Sequence, residues 1–487
     1  MRRLPVQSHK RRRRTLFLII HTLPRNLWPH NLSDWNRAGP KIMTHDQQAT
    51  EFGQFGRVIL TYGRSLMALV AAQSLARRGI DVIGCDSIDL TVLRFSRYTS
   101  GNFVHADYRE DEEAYIADLK REILARRPED GRPYVLMPMF EDARLLARRA
   151  NDLPDCIKLA APSQRAIGQI YPKDNLAHTL ARMENPSPAT SVIETPDDLA
   201  RAASHMPFPL VLKPVEGVGG RGVAFVETRE ELSDAYDKAQ TQGETVHVLQ
   251  EAVDGDDYCV TAIANDGEIA AMMAYRNLQT FPAKSGAGTV RETVDHRIFE
   301  QSASTLLREI GWNGVAEIDY RWTGETSSAP QLIEVNPRFW AGLYHSMTSG
   351  IDYPWLLYQL TAFGEIAEQP QPRIGVITRT PILSLASSVK HMTANLFRFN
   401  KSKRLIADGW RRMREGRIRE GMREIIGGAV KAFNFNAAAF DTLEQVEQLK
   451  DKPTELDHAP DPFTGLGVMF IFSSLWRTGK LPDEVKY

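Results

Sequence analysis

Cysteine is scarce. Three residues, Cys85, Cys156 and Cys259, lie far apart in a chain of 487. That excludes a disulfide framework and a zinc knuckle, and it favours a reducing, cytoplasmic setting. Long apolar runs are also missing. No window holds the ~18 or more apolar residues of a membrane span. The longest, PFTGLGVMFIFSSLW near the C-terminus, reads as a docking helix. Excess charge is absent too: 60 Lys and Arg stand against 61 Asp and Glu, a net charge of −1. A dedicated nucleic-acid binder would carry a basic surplus, so nucleic acid is not expected as a partner. The common phosphate-binding signatures are likewise not found. The chain has no G-x-x-x-x-G-K-[ST] loop, no HRD or DFG of a protein kinase, and its first strand–turn–helix unit carries TYGRSLMA in place of G-x-G-x-x-G. Hydrophobic residues make up 43% and charged residues 25% of the chain, which is ordinary globular usage. The length suggests roughly three structural units.

The balanced charge conceals an asymmetry. The first ~42 residues carry about ten Lys or Arg, including the run Arg11 to Arg14, against one acid, Asp34. Residues 1–42 therefore read as a basic extension, disordered or outside the native fold, and Met43 is a candidate start. Residues 387–432 carry about a dozen basic residues against about four acidic ones. Segments such as WRRMREGRIREGMREII could form amphipathic helices against an anionic membrane surface. The plainer reading of 363–487 is a mostly helical region packed on the core.

From Arg57 the pattern is βα. RVILTYG is a buried strand running into a glycine turn, SLMALVAAQSLARRG a helix closed by Gly79, and DVIGCD a second strand. A helix, EDEEAYIADLKREILAR, and a strand, PYVLMPM, follow. Residues 57–160 thus read as a parallel α/β unit. Its loops at strand carboxyl ends, Tyr62 and Arg64 among them, would line the crevice of such a sheet. Residues 165–362 read as α+β. TPDDLARAA is a capped helix with Thr195 as N-cap. PLVLKPVEGVGGRGVAFVET is strand–loop–strand, Asp266-Gly267 is a hairpin turn, and GVAEIDYRW and PQLIEVNPRF are strands.

Two features of the second unit carry chemistry. In VLKPVEGVGGRGV, Lys213 at the end of a strand meets a glycine-dense loop, Gly217, Gly219, Gly220 and Gly222. Glycines let backbone N–H groups approach phosphate oxygens without an obstructing Cβ. In IDYRW…QLIEVNPRF, Asp319 ends one strand and Glu334 and Asn336 share a face of the next, because side chains at i and i+2 of a strand point the same way. Two carboxylates and an amide oxygen are hard ligands suited to Mg²⁺, with Mn²⁺ as a substitute, and not to zinc. Arg338 extends that face with a bidentate donor. Glu317 shares the face of Asp319 and is a reserve ligand. Alone, the first feature is compatible with a surface turn and the second with a charged hairpin. Arg276, Lys284 and Arg291 flank FPAKSGAGTVRETV, which reads as a basic loop between strand and helix able to hold an anionic substrate carboxylate. Cys259 and His247 read as ordinary packed strand residues.

Both features occur in order in one chain, and residues ~165–362 resemble the ATP-grasp superfamily. The resemblance is to its carboxylate–amine ligase branch and to the synthetase lobes of carbamoyl-phosphate synthase. Residues 57–160 resemble the pre-ATP-grasp domain that accompanies the fold. The implied architecture is a parallel α/β domain, a two-lobed α+β ATP-grasp fold and a mostly helical C-terminal region. The resemblance implies that Lys173, in YPKDN before the PSPAT element, and Lys213 bind nucleotide phosphates. It implies that the glycine loop is a flap over them, that Gln250 and Val253 in QEAV hold adenine, and that Asp257 holds the ribose. It assigns Asp319, Glu334 and Asn336 to two Mg²⁺ ions and Arg338 to the transferred phosphoryl group. The implied reaction is ATP-dependent activation of a small-molecule carboxylate as an acyl phosphate, which an amine, thiol or other nucleophile then attacks. Carbamoyl-phosphate synthesis itself is disfavoured, because that synthase has two ATP-grasp units and one is present here. The alternative is a non-catalytic ATP-binding or membrane-associated protein on the same core.

Overall fold

The computed structural model describes residues 56–216, 222–241, 246–281, 287–367 and 369–379, with a few positions between 407 and 424. The expected extension 1–42, Gly217, Gly219, Gly220, Lys284, most of the basic region 387–432 and the apolar segment near the C-terminus lie outside the described residues.

The N-terminal unit runs Arg57–Leu60 (β1), Leu66–Ala76 (α1), Asp81–Asp86 (β2), Gly101–Val104 (β3), Glu112–Ala125 (α2), Tyr134–Met137 (β4), Asp142–Arg148 (α3) and Lys158–Leu159 (β5). Its sheet is parallel throughout, in the order β3-β2-β1-β4-β5. Val58, Ile59 and Leu60 are fully buried, as expected of a parallel strand covered on both faces. Ser65 starts α1 by accepting a hydrogen bond from the Ala68 N–H on its Oγ at 3.1 Å. Gly79, at φ +77°, turns the chain from α1 into β2. Asp111 caps α2 through the Ala114 N–H at 2.9 Å. The carboxyl ends of β1 to β4 deliver Tyr62, Asp86, His105 and Phe140 to one edge of the sheet.

The next unit begins with Gln164–Ile167 (α4) and Lys173–Arg182 (α5). Thr190–Ile193 (β6), Pro196–His205 (α6), Leu210–Pro214 (β7), Ala224–Val226 (β8), Arg229–Thr241 (α7) and His247–Glu251 (β9) follow. They form an antiparallel sheet in the order β6-β9-β7-β8. Thr195 and Asp198 close the capping box that TPDDLARAA signalled. The helix α5 has no counterpart in the sequence reading, where the surrounding prolines obscured it. Leu176 and Leu180, four apart, supply its buried stripe.

A second antiparallel sheet is built from Asp256–Asn265 (β10), Glu268–Phe281 (β11), Ala287–Val294 (β12), Gly314–Trp322 (β13), Gln331–Asn336 (β14) and Ile377–Arg379 (β15), in the order β14-β13-β10-β11-β12-β15. Between its strands stand Arg297–Glu309 (α8), Leu343–Ser349 (α9) and Tyr353–Phe363 (α10). The turn from β10 to β11 places Asp266 at φ +49° and Gly267 at φ +85°, the two left-handed residues of a type I′ hairpin. A Cβ on Gly267 would lie 2.7 Å from the Arg308 Cα, so close packing as well as φ demands glycine there. One face of the sheet packs Val260, Ala262, Ala274 and Ile318 against Phe299, Ala303 and Leu306 of α8. The other face is apolar at one end, where Ile263, Met273 and Val315 pack in a second cluster with α10, and polar at the other, where it carries the candidate site.

Three expectations need correction. GTVRETV is strand, not loop. Its alternating side chains pair antiparallel with β11 through Arg276↔Glu292 and Asn277↔Arg291. The sheet also reaches past residue 362. Ile377–Arg379, inside the region expected to be mostly helical, pairs with β12 through Arg291↔Thr378. Asp319 lies within β13, three residues before its end. Among the described residues after 400, short helical pieces fall between 407 and 424.

Candidate active site

The site grows from strand register. Glu317 stands opposite Asn336, and Asp319 opposite Glu334. On the other side of β13, Thr261 faces Glu317 and Cys259 faces Asp319. Opposed residues share a sheet face, as do residues two apart, so Glu317, Asp319, Glu334 and Asn336 all project from the polar face. The Asn336 amide donates to Asp319 Oδ2 at 3.2 Å, and the Tyr275 hydroxyl donates to Glu317 Oε1 at 3.0 Å. Burial holds the Asp319 carboxyl well above the usual range, and the negative charges of Glu317 and Glu334 raise it further. Burial raises Glu317 as well, against the pull of Arg338. Carboxylates crowded out of water favour a cation among them, because the ion removes both the mutual repulsion and the unsatisfied charge. The oxygen donor set fits Mg²⁺. Cys259 is buried as expected, but its Sγ and one oxygen each of Glu317 and Asp319 lie within 4.8 Å of one another. The thiol therefore borders the acid cluster, a placement legible only from the β10–β13 register. Its own ionisation is pushed up, first by burial and then by the two carboxylates.

The helix α5 and the smaller sheet supply one base each. Lys173, at the start of α5, reaches Glu334 Oε1 with its Nζ at 3.4 Å. Its backbone N–H donates to the Val215 carbonyl at 3.1 Å, which fixes the helix start beside β7. Lys213 on β7 donates from Nζ to Gln250 Oε1 at 2.7 Å. The Gln250 amide nitrogen in turn donates to Thr190 Oγ1 at 3.1 Å. Burial lowers the Lys213 ammonium from its ordinary value, while Glu334 and Asp319 act the other way. A lysine so placed is short of counter-charge, which polyphosphate oxygens would provide. Gly222 takes φ +73° at the exit of the glycine loop. Asp257 is paired with Arg321, whose guanidinium lies 2.7 Å from Asp257 Oδ1 and donates from Nε to the Val253 carbonyl at 3.3 Å. Arg321 was not among the expected site residues. Its spacing of two from Asp319 was the available signal.

Arg338 is held from several sides. Its Nε donates to Glu141 Oε1 at 2.7 Å, an Nη to the Phe339 carbonyl at 2.9 Å, and the other Nη to Asn336 Oδ1 at 3.2 Å. Glu317 Oε2 lies 3.5 Å away. Glu141 follows β4, so the N-terminal unit contributes directly to this arginine. Glu141 also pairs with Arg144, whose guanidinium sits 3.7 Å over the Tyr171 ring. No local motif marked Glu141; its partner is 197 residues away.

The expected substrate residues divide. Arg291 is buried on the polar face, one Nη donating to the Gly288 carbonyl at 2.5 Å, with its guanidinium 5.9 Å from the Tyr275 ring. Arg276 pairs in register with Tyr258 and Glu292. That places it on the opposite face, bonded to Glu292 at 3.0 Å. The structure does not bring Arg276 to the acids, because the strand that replaces the expected loop fixes its alternation.

Comparison with known proteins follows the same outline. Residues 177–342 match the family model described as ATP-grasp domain. The N-terminal section of the carbamoyl phosphate synthase large chain from Methanopyrus kandleri is 20% identical over 284 residues, covering 55% of this chain and 48% of that protein. Biotin carboxylase from Campylobacter jejuni, solved as a β-γ-ATP complex, superposes with a TM-score of 0.54 at 18% identity, covering 66% of this chain and 74% of that one. N5-carboxyaminoimidazole synthetase from Staphylococcus aureus, complexed with ADP, gives 0.53 at 14% identity, covering 66% and 81%. At such identities the solved structures speak for the fold. The chain spans less than half the length of the first curated relatives it matches, 38% and 48%. A match that starts inside α5 and runs past Arg338, on a fold shared with these proteins, identifies residues 177–342 as an ATP-grasp domain, similar to those of carboxylate–amine ligases and carbamoyl-phosphate synthases.

Proposed function

We propose that this protein is an ADP-forming ligase that activates a small carboxylic acid with ATP and passes the acyl group to an amine or a related nucleophile. The observation that carries the reading is the polar sheet face. Glu317, Asp319, Glu334 and Asn336 share it, Lys173 reaches it from the start of α5, and Arg338 is fixed beside it by Glu141. A degenerate nucleotide binder has no need to keep several part-buried, mutually repelling carboxylates together, which costs stability.

Asp319, Glu334 and Asn336 would hold Mg²⁺, with Glu317 adjacent, and the metal when bound supplies neutralisation of phosphate charge. Lys173 and Lys213 bind the phosphates of the nucleotide. The glycine-dense stretch with Gly217, Gly219, Gly220 and Gly222 suits backbone N–H contacts to phosphate oxygens, since no Cβ obstructs them. Gln250 and the Val253 backbone face adenine, and Asp257 faces the ribose in exchange for part of its bond to Arg321. The acid's carboxylate oxygen attacks the γ-phosphorus of ATP, the bond to the β-phosphate oxygen breaks, and ADP leaves. Transfer of this kind depends on positioning and charge stabilisation. Arg338 supplies a fixed donor for the phosphoryl oxygens, and Arg291 lies on the same face for the acyl end. The nucleophile then adds to the acyl carbon, phosphate departs and the amine loses a proton.

The test is an ADP-release screen over candidate acids and amines with Mg²⁺ present. Glu334→Ala and Lys213→Ala are each expected to lower the rate by on the order of 10²–10³, the scale of a lost transition-state contact. Unchanged ADP release by Glu334→Ala would overturn the assignment.

A further inference from the structure

Arg144 lies on α3 of the N-terminal unit, outside the matched domain 177–342. Two contacts nevertheless put its guanidinium at the phosphate end of the candidate site.

The first contact is Glu141, at the N-cap of α3. Glu141 and Arg144 are three apart and so are neighbours on one helix face. The Glu141 carboxylate joins two guanidiniums. Its Oε1 takes Arg338 Nε at 2.7 Å, and its Oε2 takes an Nη of Arg144. Arg144 and Arg338 thus stand on the two oxygens of one carboxyl group.

The second contact is Tyr171. The Arg144 guanidinium lies 3.7 Å over its ring, and an aromatic face holds a cation without using any of its N–H donors. Tyr171 stands two residues before Lys173, whose Nζ lies 3.4 Å from Glu334 Oε1. Burial raises the Tyr171 hydroxyl pKa, Arg144 opposes this, and the charges of Glu216, Glu141 and Glu334 add to it. Tyr171 and the cation above it are therefore within electrostatic reach of the metal-site acid. Arg144 lies between Arg338, assigned to the transferred group, and Lys173, assigned to the nucleotide phosphates.

The charges leave room for an anion. Glu317, 3.5 Å from Arg338, gives that arginine a second carboxylate. Among the described residues Arg144 has Glu141 alone, and shares it. A guanidinium has five N–H donors, and Glu141 takes one Nη of Arg144. The side chain is 23% exposed, so its remaining donors are accessible to a ligand. Two adjacent guanidiniums suit a group with several anionic oxygens, which phosphoryl has.

We infer that Arg144 binds the γ-phosphate of the nucleotide and the phosphoryl group in transfer, a partner to Arg338 supplied by the N-terminal unit. The inference rests on the ligase reading for the identity of the phosphoryl donor. Held by Tyr171 and Glu141, the guanidinium needs no reorientation as charge develops on the oxygens, which is where a fixed donor contributes most. The experiment titrates the full chain with ATP and, separately, with ADP, by calorimetry with Mg²⁺ present and no acid substrate. Arg144→Gln is expected to weaken ATP about tenfold, the scale of one charge-assisted hydrogen bond, and to leave ADP within about twofold. Unchanged ADP affinity also shows that the variant folds. Arg144→Lys keeps the charge and loses the fork, so it should recover part of the ATP affinity. If a melting curve shows that Arg144→Gln does not fold, Arg144→Lys carries the same comparison of ATP with ADP. In turnover, Arg144→Gln should lower kcat by on the order of 10², with KM for the amine unchanged. The inference is overturned if the folded variants bind both nucleotides as wild type does. It is equally overturned if both nucleotides weaken alike, as a mere brace for Tyr171 and Glu141 would require. A wild-type chain that binds neither nucleotide overturns it together with the ligase reading. A wild-type chain that binds ATP but releases no ADP with any acid and amine faults the ligase reading alone, because the difference between ATP and ADP still decides the role of Arg144.

Discussion

At the scale of residues, Glu141 shows how a side chain far away in sequence completes the site. It is nearly buried, bonds Arg338 at 2.7 Å, and pairs with Arg144 as well. Replacing it with glutamine keeps the size and removes the charge. Arg338 would then be a buried cation short of its main partner, a change worth roughly 3 kcal/mol of stability. Its guanidinium would also lose its aim, and misplacing a catalytic donor can lower a rate by on the order of 10–10². Glu141→Gln is therefore expected to melt earlier and to release ADP more slowly while KM for ATP holds within about twofold. Steady-state kinetics and a melting curve check both, and Glu141→Asp should recover part of the rate. That Glu334 and Asn336 share a strand face was legible in advance, because a period of two is a property of strands. Glu141 and Arg321 were much less so, since their roles arise from tertiary pairing and no local pattern encodes a partner in another element.

At the scale of elements, the strands were legible wherever apolar residues run unbroken between turns, as in RVIL and DVIGCD, or alternate, as in GVAEIDYRW. Legibility failed where glycines and a lysine precede a strand, as with Ala287–Val294, because the same residues mark turns. What fixes that strand is a buried polar tie. His345 of α9 bonds Thr293 of β12 through Nε2 at 3.0 Å and Thr378 of β15 through Nδ1 at 2.9 Å. Burial and the nearby Arg291 lower its pKa from 6.5 to about 3. The sign follows. Below about pH 6.5 the unfolded chain takes a proton at this position and the folded chain does not until about 3. The stability this histidine contributes is thus present above the unfolded value and is lost as the pH falls, by up to about 1.4 kcal/mol per unit. Denaturant midpoints taken between about pH 7 and about pH 5 should fall less steeply for His345→Gln than for wild type. Equal slopes would place the acid sensitivity elsewhere.

At the scale of the whole molecule, the sequence divides at about residue 160, where a parallel pattern gives way to mixed strands. The fold does not separate there. The helix α10 returns to the N-terminal unit and packs Leu356, Leu357 and Leu360 into the same cluster as Leu69, Ala72 and Leu75 of α1. Asp352 fastens the join. It caps α10 by accepting from the Trp355 N–H at 3.3 Å, accepts from Ser74 Oγ at 2.6 Å, and pairs with Arg78 at 2.8 Å. Arg78 also lies 5.1 Å from the Trp355 ring, and Lys158 donates to the Ala362 carbonyl at 2.8 Å. A shared apolar cluster couples the two units, because neither can expose its half without losing the burial of the other. Asp352→Ala removes a helix cap, about 1 kcal/mol, and leaves the buried Ser74 hydroxyl without that acceptor, roughly another 1 kcal/mol. Melting followed by circular dichroism and by tryptophan fluorescence should therefore give one coincident transition in wild type. In Asp352→Ala that transition should move down as a whole. Two separate transitions in wild type, with the substitution shifting only one, would show that the units are stable independently and that the contact between α1 and α10 carries little of the fold.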